Sequence, residues 1–223
     1  MKSMVFIHRS VGHNLMQDGK LRELIQATGK FSIGDYDQNT DVLTDMNGTQ
    51  RKMEFLFPGG NTRPEDLSVI FSDSVPSQHK SIQDEALRYD VIAVKSCYPN
   101  SSIGSSEELE KIKQHYKTIC GFFMEHDKEL VILTSPPLAP LMTKHDNAAR
   151  ARELAIWLTS TDFGNTIKVF DFFNLLAASP GATQPNTLKK KYRRWLPVDS
   201  HPNPRASREI APQFVDFLQT NIR

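Results

Sequence analysis

Four short apolar runs constrain this chain more than any other feature. They are Met4–His8 (MVFIH), Tyr89–Val94 (YDVIAV), Leu130–Thr134 (LVILT) and Ile167–Phe172 (IKVFDF). Continuous apolar runs of ~4–8 residues suit strands buried on both faces. Helical patterns lie between them. Residues 12–27 place Leu15, Leu21, Leu24 and Ile25 on one face. Ser105 or Ser106, followed by Glu107-Glu108, is an N-cap signature for a helix to about Met124. Its stripe is Leu109, Ile112, Tyr116, Ile119 and Phe123. Asn147–Leu158 and a final segment from Ala206 to Thr220 read as further helices. Phe31–Ile33 is a candidate second strand, and Pro64–Phe71 a short helix capped by Thr62. Short buried strands alternating with helices mean a mostly parallel sheet, here five-stranded, covered on both sides. Residues 34–62 and 180–198 read as long loops, of the kind that shapes sites.

The 223 residues show no repeat, low-complexity tract or linker, so residues 1–223 are read as one domain. Lys+Arg 27 against Asp+Glu 26 excludes a strongly basic nucleic-acid binder on global charge. No run approaches the ~20 apolar residues needed to span a bilayer, and the N-terminus lacks a secretory h-region. Cys97 and Cys120 read as ordinary thiols. A cytoplasmic protein without a membrane span is the expectation.

Sites in parallel α/β sheets gather at the carboxyl ends of strands. Ser10 falls where the first strand turns into the first helix. It either caps that helix or sits in the field of its N-terminus as a nucleophile. Asp199-Ser200-His201-Pro202-Asn203 precedes the last helix, and Pro202 favours extended angles at His201. In extended chain, Asp199 and His201 point the same way. A carboxylate beside an imidazole is the orienter and base of a triad, though both residues also suit a capping loop. Asn100, after the YDVIAV strand, is either an oxyanion donor or a turn asparagine.

In order and spacing, HRSVGHN, KSCYPNSSI, ILTSPP, VFDF and DSHPN resemble the SGNH (GDSL-like) hydrolase superfamily over nearly the whole chain. The resemblance implies a flavodoxin-like three-layer α/β/α sandwich and a serine esterase without cofactor or metal. It assigns Ser10 as nucleophile, His201 as base and Asp199 as orienter, with Asn100 and a second-block glycine at the oxyanion. Gly60 is the leading glycine, with Gly48, Gly59 and Asn39 as alternatives. Arg9 stands where the family has an acid, which changes the sign of the site wall. Arg9 and Asn14 are candidate substrate-binding residues, and His8 and His13 candidate helpers. The basic run Lys189–Arg194 reads as a solvated face or as an anion-selecting wall. The expected substrate is a small-molecule or carbohydrate-linked ester. A ligand-binding module without turnover and an O-acyltransferase stay open on the same fold. The sequence carries nothing about oligomeric state.

Overall fold

A computed structural model describes residues 1–53 and 57–222. The parallel strands β1 (Lys2–His8), β5 (Val91–Lys95), β6 (Glu129–Leu133) and β7 (Ile167–Phe170) form where the four apolar runs fall, and parallel β2 (Phe31–Asp37) extends the candidate Phe31–Ile33. Two further short strands, β3 (Val42–Thr44) and β4 (Gln50–Lys52), pair antiparallel at the edge of β2. The sheet order is β4-β3-β2-β1-β5-β6-β7, seven strands rather than the expected five. The stretch read as one long loop therefore contains a hairpin. β3 (VLT) is only three residues long and β4 (QRK) is exposed throughout, so no sustained apolar alternation marks the pair. Residues 54–56 of that stretch lie outside the described residues.

Period-two alternation divides the core. Met4 and Phe6 of β1, Val91 and Ala93 of β5 and Val131 and Leu133 of β6 face one side. There they meet α1 (Ser10–Gln17), α2 (Leu21–Ala27) and α8 (Pro204–Asn221), through residues such as Leu15, Ile25 and Phe214. Val5, Ile7, Ile92, Val94, Leu130 and Ile132 face the other side. That side is covered by α3 (Pro64–Ile70), α4 (Ser77–Ala86), α5 (Ser106–Glu125) and α6 (His145–Ser160). The result is a three-layer α/β/α sandwich with a mostly parallel sheet. A short helix α7 (Phe172–Leu176) follows β7.

Several boundaries differ from the sequence reading. Residues 12–27 form two helices, because the chain breaks at Gly19-Lys20. A Cβ at Gly19 would lie 2.5 Å from the Leu15 carbonyl and 2.9 Å from Ala211 Cβ. Lys20 takes a left-handed φ of 51°. Thr62 does not cap α3; its hydroxyl donates to the Lys95 carbonyl at 2.6 Å, and Arg63 occupies the N-cap. Ser105 does cap α5, accepting from the Glu108 N–H, and Asn203 caps α8.

Gly12 lets α1 lie directly on β1. A Cβ there would sit 2.3 Å from His8 Cβ, a buried side chain that cannot retreat. Gly12→Ala should therefore destabilise the fold by about 1–3 kcal/mol or more, despite alanine's better helix propensity. Urea denaturation would show it as a lower midpoint.

Candidate active site

The site sits at the carboxyl ends of β1 and β5. These neighbouring strands lie where successive connections diverge, which is where parallel sheets open a crevice. β1 ends at His8, Arg9 is the extended N-cap, and Ser10 opens α1. Ser10 Oγ shares a hydrogen bond with Cys97 Sγ at 3.5 Å. Cys97 follows β5 directly and is fully buried.

Across the crevice, the loop before α8 carries Asp199 and His201. Asp199 Oδ1 accepts from the His201 backbone N–H at 2.8 Å and from Nδ1 at 2.7 Å. This fixes the imidazole with its proton on Nδ1 and Nε2 available as a base. Tyr98 packs edge-on against the His201 ring at 4.9 Å. Ser10 and His201 thus touch adjacent residues, Cys97 and Tyr98. Among the described residues, Ser10 Oγ bonds Cys97 and not His201. Burial opposes ionisation of Asp199, but His201 and the Arg194 guanidinium at 3.8 Å outweigh it and hold the carboxyl below its ordinary range. The loop itself is pinned by Ser200 Oγ, which accepts from the Ala139 N–H at 3.0 Å.

The proposed oxyanion residues separate. Asn100 Nδ2 donates to the Asn61 carbonyl at 3.0 Å and to Ser96 Oγ at 2.6 Å. An amide has two such hydrogens, so Asn100 braces the Asn61 loop with both. Gly60 lies beside the site: a Cβ there would meet Arg9 Nη1 at 3.4 Å. Gly59, with φ at 63°, is packed on Asp66, and Gly48 lies on the β3–β4 turn. Arg9 is held by two asparagines, Nε donating to Asn39 Oδ1 and Nη1 to Asn61 Oδ1. Asn14 lies one turn beyond Ser10 on α1, and its Nδ2 is buried without a hydrogen-bond partner among the described residues.

The other candidates have structural partners. His8 is fully buried, with Nε2 on Asp35 Oδ2 and Nδ1 against the Arg9 carbonyl, both at 3.2 Å. Asp35 also takes an ion pair from Arg22. Burial raises the Asp35 pKa, but His8 and Arg22 outweigh it and hold the carboxyl low. Such a group stabilises the fold above the ordinary carboxylate pKa of ~4, and loses that contribution as pH falls through its lower folded value. Asp35→Asn should cost about 3–5 kcal/mol at pH 7, and its deficit against wild type should begin to shrink below about pH 4. Denaturant melts at both pH values check it.

His13 Nδ1 bonds Asp37 Oδ2 at 2.9 Å. In the basic run, Lys189 Nζ meets the Leu175 carbonyl, Lys191 pairs with Glu209 and Arg193 donates to the Leu188 carbonyl. Only Arg194 turns to the dyad among these residues. Among the described residues, no group of three His, Cys, Asp or Glu side chains is placed to hold a metal ion.

Sequence reasoning missed Asn61, Lys95 and Tyr98. Asn61 directly follows the Gly59-Gly60 pair that drew attention, but its side chain reaches Arg9 only through the loop's path. Lys95 follows the YDVIAV run and reads as a charge that ends it, yet it is fully buried at the end of β5 with Nζ on the Ser96 carbonyl.

No family model and no curated protein sequence matches the chain. Solved structures do. A protein of Bacteroides fragilis NCTC 9343 described as a "putative acylhydrolase" superposes with a TM-score of 0.61 at 11% identity, over 100% of this chain and 88% of its own. The lipase Lip_vut3 from a goat rumen metagenome gives 0.58 at 11%, over 96% of both chains. The acetyl xylan esterase AlAXEase gives 0.54 at 13%, over 96% of this chain and 99% of its own. At these identities the likeness establishes the fold, a flavodoxin-like α/β/α sandwich shared with known hydrolases. No helix among the described residues is long and apolar enough to cross a membrane.

Proposed function

We propose that this chain is a serine ester hydrolase of the SGNH type. The observation that carries the reading is the Asp199–His201 hydrogen bond, on the same rim as a serine at the N-terminus of α1. Ser10 Oγ attacks the ester carbonyl while His201 Nε2 takes its proton. The tetrahedral oxyanion is held by the Ser10 N–H, in the helix dipole, and by the backbone at Gly60. Collapse expels the alcohol, protonated by His201, and leaves Ser10 acylated. Water, deprotonated by His201, then releases the acid and restores Ser10. Asp199 keeps the imidazole in the required tautomer throughout. Asn100 acts indirectly, by bracing the Asn61 loop. For this cycle the Ser10 hydroxyl turns from Cys97 towards His201, and such contacts commonly tighten only with substrate present.

Structural relatives described as acylhydrolase, lipase and acetyl xylan esterase support ester chemistry on this fold. The expected substrate is a small or carbohydrate-linked acyl ester. A sugar hydroxyl in place of water would make the same acyl-enzyme a transferase. The Ser10–Cys97 bond and the occupied Asn100 amide favour a second reading, a ligand-binding module without turnover. Incubation with 4-nitrophenyl acetate separates them. Nitrophenol release with acetyl on the Ser10 peptide is expected of the hydrolase. Release of neither by folded protein, across short acyl chains, would leave the binding module.

A further inference from the structure

We propose that Arg9 is a specificity residue and that the esters taken at this site carry a carboxylate, an inference that rests on Ser10 being the nucleophile. Arg9 precedes Ser10 in the chain, and its guanidinium is held at two points. Nε donates to Asn39 Oδ1 at 2.9 Å and Nη1 to Asn61 Oδ1 at 2.7 Å. The Asn39 side chain and the Asn61 backbone are themselves fixed. The Asn39 N–H and Nδ2 both donate to Asp37 Oδ1 at 2.9 Å, so the amide oxygen must face Arg9. The Asn61 carbonyl accepts from the Cys97 N–H and from Asn100 Nδ2, each at 3.0 Å.

Holding an arginine this firmly sacrifices much of its side-chain freedom, about 2 kcal/mol when free. Arg22, Arg51, Arg63 and Arg205 each pair with a carboxylate. Arg9 has none within ion-pair distance among the described residues, and its two anchors are neutral. Asp37 lies behind Asn39 and is taken up by it and by His13. Asp199 lies with His201 and Arg194. A guanidinium has five N–H donors, and the two anchors use two. The remaining three form a planar fork whose natural partner is a carboxylate. Gly60, with no side chain, keeps the approach to Nη1 open. An immobilised cation with no carboxylate partner, on the residue that precedes the nucleophile, is built to recognise charge on the substrate.

Two ester pairs test this, each exchanging a methyl for a carboxylate. On the acyl side these are ethyl butyrate and monoethyl succinate; on the alcohol side, ethyl acetate and O-acetylglycolate. In at least one pair the anion should raise kcat/KM by about tenfold to a hundredfold, mostly through KM. Arg9→Gln should collapse that ratio to near unity, and Arg9→Lys, which keeps the charge without the fork, should retain part of it. No anion preference in either pair, or one that survives Arg9→Gln in folded protein, overturns the proposal. Failure to hydrolyse any of the four esters is a different failure, that of Ser10 as nucleophile. Calorimetric titration with succinate and with glycolate answers for Arg9 in that event. Binding by wild type that Arg9→Gln abolishes supports the carboxylate site, and no binding of either acid overturns it.

Discussion

Ser10→Ala and His201→Ala should each lower kcat for ester hydrolysis by about 10⁶-fold, and Asp199→Asn by about 10⁴-fold. The inequality follows from the geometry. In the proposed cycle Ser10 supplies the atom that becomes acylated, and His201 moves the proton in both half-reactions, so losing either would end it. Asp199 touches no reacting atom. Its Oδ1 receives the His201 Nδ1 and backbone N–H together, so one carboxylate oxygen sets both the tautomer and the loop. Asparagine can preserve the loop contact while offering its own N–H to the ring, which favours the proton on Nε2 and removes the base. The Ser10→Ala/His201→Ala double variant should be no slower than either single one, because the two act as a unit. Additive losses in the double variant would mean that the residues do not share a step.

Cys97→Ala should destabilise the fold by about 3–5 kcal/mol at pH 7, far more than removal of one sulfur would suggest. Lys95 is fully buried with its Nζ near Cys97 and the Ser96 carbonyl, and no carboxylate pairs with it among the described residues. Burial pushes the Cys97 thiol up, but Lys95, Ser10 and the N–H groups of Tyr98 and Val11 outweigh it and hold it below its ordinary range. Burial also lowers the Lys95 pKa, opposed by Cys97. Lys95 and Cys97 therefore form a coupled buried pair. Removing the sulfur takes away the side chain that opposes the burial of Lys95. A lysine with a depressed folded pKa binds fewer protons than in the unfolded chain, so stability rises with pH between the two values. The Cys97→Ala deficit should shrink as pH is raised towards ~10. Lys95→Met combined with Cys97→Ala should recover most of the loss, with a coupling of about 2–3 kcal/mol. Urea melts of the four proteins complete the cycle. A pH-independent deficit with additive single effects would show that packing, not charge, is at stake.

Four of the five parallel strands were legible because each needs two apolar faces, and that demand leaves an unmistakable run; β2 (FSIGDYD) has no such run, and only Phe31–Ile33 stood out. Chain order placed Ser10, Asp199 and His201 at the same end of the sheet, and the last two do meet in a hydrogen bond. The β3–β4 hairpin was not legible, since Gln50–Lys52 packs nothing beneath it. The break at Gly19-Lys20 depends on how closely α8 approaches Leu15, a tertiary distance that no local pattern contains. Asn100 illustrates the same limit at the site. Its position after β5 was readable, but whether its amide faces a ligand or the Asn61 carbonyl depends on a loop some forty positions earlier. The anchoring of Arg9 draws on Asn39 and Asn61, which the fold brings together from separate loops.

The most direct measurement is peptide mapping after treatment with a fluorophosphonate, on wild type and on His201→Ala. An activated serine gives a single adduct on Ser10 in wild type and none when His201 is removed. No adduct on folded wild-type protein, or an adduct on Ser10 that forms as fast without His201, would contradict a Ser10–His201–Asp199 hydrolase.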